Sequence, residues 1–195
     1  MSESRSVLIR QMLIQVACCG TPWPWLWLAP LGQRTRIDYG NNTRTEYIYD
    51  ANTFKVRQIR TTRTTDYKVL QELDYFYDPV GNITWQQDGV QATVFFDNGV
   101  AGPDNKYTYD ALYRLIKAEG REHAGNNTAP DWNDGSRVGL TPIPYTNTAA
   151  MRSYTQLYTY DGPGNMLSQQ HIAATGWTRT YTLYATNNRL RRPHD

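Results

Sequence analysis

Tyr75-Phe76-Tyr77-Asp78-Pro79-Val80-Gly81-Asn82-Ile83 holds a complete structural instruction in nine residues. In an extended chain, residues two apart share a face, so Tyr75 and Tyr77 point the same way. The Asp78 side chain can accept hydrogen bonds from backbone N–H groups just ahead of it and start a turn. Gly81 supplies positive φ at no steric cost, and Asn82 tolerates the same region. Ile83 then restarts a strand. Strand, tight turn and strand make a β-hairpin.

The same phrase recurs along the chain. Tyr47-Ile48-Tyr49-Asp50 precedes it, and Tyr107-Thr108-Tyr109-Asp110 and Tyr158-Thr159-Tyr160-Asp161 follow. Tyr181-Thr182-Leu183-Tyr184 is a degenerate fifth copy. What comes after the acid recurs too: Gly164-Asn165-Met166 repeats Gly81-Asn82-Ile83, and Tyr113-Arg114-Leu115 and Asn187-Asn188-Arg189-Leu190 take the same place. The spacing between copies is irregular, so the unit tolerates insertions in its connections. Thr53 and Tyr113 stand where glycine is wanted. Neither suits positive φ, which predicts another geometry for those two turns.

Between the copies lie further strand signals. Phe54 and Val56 alternate with Lys55 and Arg57, Thr93 to Phe96 is a short β-branched and aromatic run, and Trp177 and Tyr181 alternate with threonines. Asp97-Asn98-Gly99 and Gly162-Pro163-Gly164 are turn punctuation. Helical periodicity is absent after residue 31. The stretch 120–150, with Gly125-Asn126-Asn127, Asp134-Gly135 and Pro142-Ile143-Pro144, reads as one long surface loop between two repeats.

Composition supports a half-wet β-sheet. Tyr numbers 15 against Trp 6 and Phe 4, and tyrosine favours positions where its ring is buried and its hydroxyl is not. The net charge of +2 is too small to imply nucleic acid. Arg57, Arg60 and Arg63 lie among threonines with no aromatic platform, as on a solvated strand face; a phosphate-binding strip is the competing reading. Cys18 and Cys19 are adjacent and cannot staple distant segments.

Residues 1–30 differ from the rest, being apolar with Trp23, Trp25 and Trp27 among prolines. Arg10, Gln11 and Gln15 break the run that a signal peptide or a membrane span needs. A reading frame that starts in unrelated sequence accounts for the segment better than targeting does. The β region is then expected over 31–195.

Tyr-x-Tyr-Asp followed by Gly-Asn and an apolar residue resembles the YD repeat of Rhs proteins. The phrases Leu31-Gly32-Gln33-Arg34-Thr35, Tyr109-Asp110-Ala111-Leu112-Tyr113-Arg114-Leu115-Ile116 and Gly120-Arg121-Glu122-His123 are similar to the stretch of Tc-type insecticidal Rhs proteins shortly before their C-terminal core. The resemblance covers roughly 31–192. It implies an all-β fold, with repeated antiparallel β-hairpins forming a curved strip of a YD-repeat β-solenoid shell. It also implies partners: the remainder of the shell and an encapsulated toxic polypeptide, in a secreted or cell-surface-delivered bacterial toxin. Teneurins carry a similar shell. The family's self-cleaving aspartate site has no match here.

No residue is assigned a catalytic, cofactor-binding or metal-ligating role, and the chain is read as a non-enzyme. Asp50, Asp78, Asp110 and Asp161 occupy one slot of a repeated turn, which favours turn formation over acid–base work. His123, His171 and His194 lack ligand spacing. Ser153 and Ser168 lack a nucleophile elbow. The repeated tyrosines read as the packed face of the sheet; stacking on sugars, in a carbohydrate-binding module, is the alternative. The Asn-x-Thr triplets at Asn41, Asn82 and Asn126 matter only in a eukaryotic secretory route. A strip without caps is expected to be marginally stable and aggregation-prone.

Overall fold

A computed structural model describes residues 12–15, 25–125, 147–174, 176–184, 187 and 189–191. Cys18, Cys19, Trp23, Asn126, His194 and the span 126–146 lie outside the described residues. The described chain is all-β, with sixteen strands and no helix. It divides into two compact units, residues 1–75 with 87–91, and residues 76–86 with 92–195.

The first unit contains β1 (Met12–Gln15), β2 (Trp25–Leu28), β3 (Arg34–Tyr39), β4 (Thr43–Tyr49), β5 (Val56–Arg63) and most of β6 (Val69–Tyr77). Each strand pairs antiparallel with the next in chain order. Period-two alternation sorts the residues onto two faces. Ile37, Thr45, Thr61 and Gln71 stand in one cross-strand row, and Tyr47, Ile59 and Leu73 in the next. Arg36, Glu46, Arg60 and Glu72 stand directly opposite one another on the other face. Their signs alternate across four strands, as cross-strand pairing favours.

The division between units falls within β6 and β7 (Ile83–Asp88). The second unit holds the hairpin through Asp78 and Asn82. It also holds β8 (Val94–Phe96), β9 (Gly99–Ala101), β10 (Asp104–Tyr109), β11 (Leu115–His123), β12 (Met151–Tyr160), β13 (Met166–Ile172) and β14 (Trp177–Thr180). From β10 to β14 the strands form an antiparallel sheet in chain order. A separate two-stranded sheet joins β15 (Thr182–Leu183) to β16 (Leu190–Arg191). Asp97 (φ 48°) and Asn98 (φ 58°) form the two-residue turn of the β8–β9 hairpin, and two successive positive φ values mark type I′. That hairpin lies on β12, where Ser153 Oγ donates to Val100 O, and just before it Ala92 O accepts from Arg121.

The interior is thin. Among the described residues only Ala101, Ala118, Ala150, Thr45 and His171 are buried, and no large side chain is fully enclosed. Few side chains have neighbours on every side, so register and turns must do much of the ordering.

Three sequence expectations change. Gly120–His123 is not loop but the end of β11, paired with β12 from Gly120↔Tyr154 to His123↔Met151. The absence of a side chain makes room there, because a Cβ on Gly120 would overlap the Asn105 side-chain oxygen and meet the Tyr154 hydroxyl at 3.0 Å, so both would have to shift. Phe54 is not in a strand; it closes a turn at φ 58°. Tyr113 adopts the positive φ (61°) that its side chain disfavours.

Candidate functional site

The repeated phrase builds a repeated corner. At Asp78 the backbone N–H donates to Asn82 O (2.9 Å), and Gly81 N–H donates back to Asp78 O (3.1 Å). This closes a three-residue loop with Gly81 at φ 110°. Such a loop is a type I turn followed by a left-handed residue, and Pro79 fits its first central position. Asp161 does the same with Asn165 and Gly164 (φ 101°), and Asp110 with Arg114 and Tyr113. The strand register shifts by one residue just before the corner, at Ile48/Tyr49, Thr108/Tyr109 and Thr159/Tyr160. That is the bulge this loop demands.

Among the four aspartate corners Asp50 alone uses a longer loop. Its N–H donates to Lys55 O and Phe54 N–H to Asp50 O, so the chain gains a residue and Thr53 avoids positive φ. Sequence reading also missed one corner. Ala29 N–H donates to Gln33 O and Gly32 N–H to Ala29 O, with Gly32 at φ 79°. Pro30 and Gly32 copy Pro79 and Gly81, but neither the tyrosines nor the acid is present to flag them. The boundary expected at Leu31 falls inside this loop, between paired strands β2 and β3.

Each corner carboxylate accepts hydrogen bonds from its own turn. Asp78 Oδ1 accepts from the N–H of Gly81 (2.7 Å) and Asn82 (2.8 Å), while Oδ2 accepts from the Asn82 amide. Asp161 repeats this set with Gly164 and Asn165. Asp110 accepts from Leu112 and Arg114 N–H and from Arg114 Nε at 2.7 Å. Asp50 accepts from Asn52 and Thr53 N–H and from the Thr53 hydroxyl.

All four are therefore held below the ordinary carboxylate range. The N–H of Thr53 dominates at Asp50, that of Arg114 at Asp110, and the Asn165 amide at Asp161. At Asp78 burial pushes upward, but the Asn82 and Gly81 donors outweigh it. A carboxylate fully engaged as acceptor stays ionised and makes a poor general acid or base.

The second tyrosine of the phrase has its own repeated partner. Tyr49 donates to Arg34 O (2.8 Å), Tyr109 to Ile83 O (2.8 Å) and Tyr160 to Leu115 O (2.7 Å). Each acceptor is the first residue after an earlier corner. The residue just before that acceptor also reaches forward in two cases: Gln33 Nε2 donates to Phe54 O and Arg114 Nη1 to Asp161 O. Arg114 lies over the Tyr160 ring as well, 5.1 Å from its centroid.

The remaining candidates have local uses. Gly125 N–H donates to His123 Nδ1, which leaves Nε2–H to donate to Asn147 O. The hydroxyls of Ser168 and Thr159 bond to each other. His171 is 5% exposed and stacks on Trp177. Tyr158 donates to Gln156 Oε1, so the Gln156 amide nitrogen faces His171 Nδ1 and His171 Nε2–H points to Glu122. Glu122 also accepts from Arg152 Nε at 2.8 Å. Nothing in the sequence marks Glu122 and Arg152 as partners; only the register across 124–150 brings them face to face. Among the described residues no group of three His, Cys, Asp or Glu is placed to hold a metal ion.

No protein-family model matches the chain. It is 38% identical over 159 residues to toxin subunit YenC2 of Yersinia entomophaga, and 34% identical over 165 residues to YenC1 of the same organism. Those matches cover 80% and 81% of this chain, which spans 16% of the length of each relative. Among solved structures, TcdB2–TccC3 without its hypervariable C-terminal region matches at TM-score 0.71 with 32% identity, over 93% of this chain and 9% of that one. The Tc holotoxin pore of Photorhabdus luminescens matches at TM-score 0.68 with 35% identity, over 85% of this chain and 8% of that one. With corners, bulges and tyrosines repeating as the sequence phrase repeats, the chain is homologous to a segment of these Tc toxin subunits and carries an Rhs-like repeat.

Proposed function

We propose that this chain is a length of wall in a toxin-encapsulating Rhs shell, structural and without catalysis of its own. The observation that carries the reading is the use made of the repeated side chains. Four aspartates are engaged by turn donors, and Tyr49, Tyr109 and Tyr160 spend their hydroxyls on backbone carbonyls. Groups so engaged order a sheet and are not available to substrate or glycan. The sheet offers few enclosed positions, as suits a wall with a second medium on each side. On this reading its partners are the remaining repeats of the shell and the polypeptide they enclose, delivered in a secreted or surface-presented toxin, and the wall curves as a solenoid.

A graft tests it. The residues of YenC2 that match are replaced by this chain, and the chimera is challenged with protease. The expected result is an assembled particle that shields its enclosed polypeptide as the parent does. A chimera that is soluble but leaves its cargo exposed would overturn the proposal. Glycan-array binding by the purified chain that disappears on Tyr67→Ala or Tyr113→Ala would favour the carbohydrate reading, since these two rings are strongly exposed.

A further inference from the structure

The β8–β9 hairpin turns at Asp97 and Asn98, and Gly99 follows. Among the chain's asparagines Asn98 alone precedes glycine. A backbone nitrogen can attack the side-chain amide carbon of the asparagine before it, and its own side chain normally crowds that approach. Gly99 has no side chain to do so. Asn98 and Gly99 are both exposed, and the Asn98 side chain holds no hydrogen bond among the described residues. The asparagines of the repeated corners differ on each count. Asn82 and Asn165 are half-buried, donate their amide nitrogens to Asp78 and Asp161, and precede Ile83 and Met166. The Asn82 corner is also latched through Ile83, whose carbonyl accepts from Tyr109. β8 and β9 have only 3 residues each, too few to hold their turn rigid by themselves.

We propose that Asn98 is a self-modification site, where the chain converts its own backbone to isoaspartate and thereby releases the β8–β9 hairpin. The Gly99 nitrogen bonds to Asn98 Cγ, the Cγ–Nδ2 bond breaks, and the amide nitrogen leaves as ammonia with the proton that Gly99 gives up. Water then opens the cyclic imide. Attack at the former side-chain carbonyl gives an ordinary aspartate, and attack at the backbone carbonyl gives isoaspartate. Water is the only co-reactant. Isoaspartate carries a methylene into the main chain, which a two-residue type I′ turn between Phe96 and Gly99 does not accommodate. The contacts that conversion loosens are those on the sheet: the Ser153 hydroxyl on Val100 O, and the burial of Ala101.

Incubation of the full chain in warm, mildly alkaline buffer tests it, followed by peptide mapping and labelling with an isoaspartate-specific methyltransferase. Asn98 is expected to convert first, with isoaspartate as the main product, while Asn82 and Asn165 stay intact. G99A sets a Cβ at 3.4 Å from Phe96 O, a contact the turn accepts. It should slow conversion by about tenfold, the mark of a modestly higher barrier. In the converted chains the amides of 94–101 exchange faster than in unconverted chains of the same sample. Conversion of Asn82 or Asn165 ahead of Asn98, or an equal rate in G99A, would overturn the site. Unmoved exchange over 94–101 would overturn the release. The parent chain alone locates the site, so a variant that misfolds leaves the first result standing.

Discussion

The two units carry charge on opposite terms. In the first, Arg36, Glu46, Arg60 and Glu72 form an open ladder on one sheet face. The Arg60–Glu72 pair is 3.6 Å apart, with side chains 47% and 30% exposed. In the second, Glu122 and Arg152 are 2.8 Å apart with side chains only 9% and 15% exposed, and His171 at 5% leans on the same carboxylate. Water discounts the ladder and cannot discount the cluster. With so few enclosed positions among the described residues, the rare buried polar contacts matter more than their number implies.

The effects of pH separate the units in alkali but not in acid. Each unit holds three carboxylates depressed by the fold: Asp38, Asp50 and Asp66 in the first, Asp78, Asp110 and Asp161 in the second. Burial pushes Asp38 up but Arg36 and Arg44 overrule it, and the Lys68 N–H lowers Asp66. A depressed folded value gives stability that is present above the unfolded value of about 3.9 and lost as pH falls through the folded one. Both units should therefore melt together in acid.

Alkali should not treat them alike. Burial raises the phenol of Tyr49 in the first unit, against Tyr77, Tyr107, Tyr109, Tyr154, Tyr158 and Tyr160 in the second. A raised folded value gives stability that is complete below the unfolded value of about 10 and lost as pH climbs through the folded one. Exchange mapped residue by residue above that pH should show the second unit opening first. Simultaneous opening would erase the contrast.

Among the substitutions the largest effect is that of Glu122→Ala. It removes the carboxylate that Arg152 and His171 share in a half-dry site and should cost about 3 kcal/mol, the low end for breaking a buried pair. Urea unfolding measures it, and a loss below about 1 kcal/mol would place the cluster with surface pairs.

The corners should ignore the division between units. Phe54 and Tyr113 both hold positive φ, and both are mostly exposed, at 53% and 60%. A left-handed non-glycine residue costs about 1–2 kcal/mol, and glycine returns about half of that as lost chain entropy. F54G and Y113G should each stabilise by about 0.5–1 kcal/mol in thermal melts, equally in either unit. Destabilisation by one alone would show that its ring packs in a way its exposure conceals.

Legibility in the sequence followed the same physics. Local chemistry was readable: Asp78, Gly81 and Asn82 state their own turn, and Asp161 repeats it. Gly120 to His123 looked like loop because Gly-Arg-Glu-His has no apolar alternation; its strand is imposed by Tyr154 and Arg152 across the sheet. Tyr113 looked unfit for its φ, yet the bonds from Leu112 N–H and from Arg114 to Asp110 hold the loop closed around it. The tyrosine latches were out of reach for a further reason, since their acceptors are carbonyls and a carbonyl leaves no mark in a sequence.

The smallest predicted effect is the sharpest test of the contrast. Glu46 is exposed and lies between Arg36 and Arg60 in the ladder. Removing its charge leaves neither arginine stranded, because Arg36 keeps Asp38 at 2.6 Å and Arg60 keeps Glu72. E46Q should therefore cost no more than about 0.5 kcal/mol, and half a molar of salt should remove most of that difference. A cost near that of Glu122→Ala, unaffected by salt, would mean that the ladder is covered by something and that its face is not a water face at all.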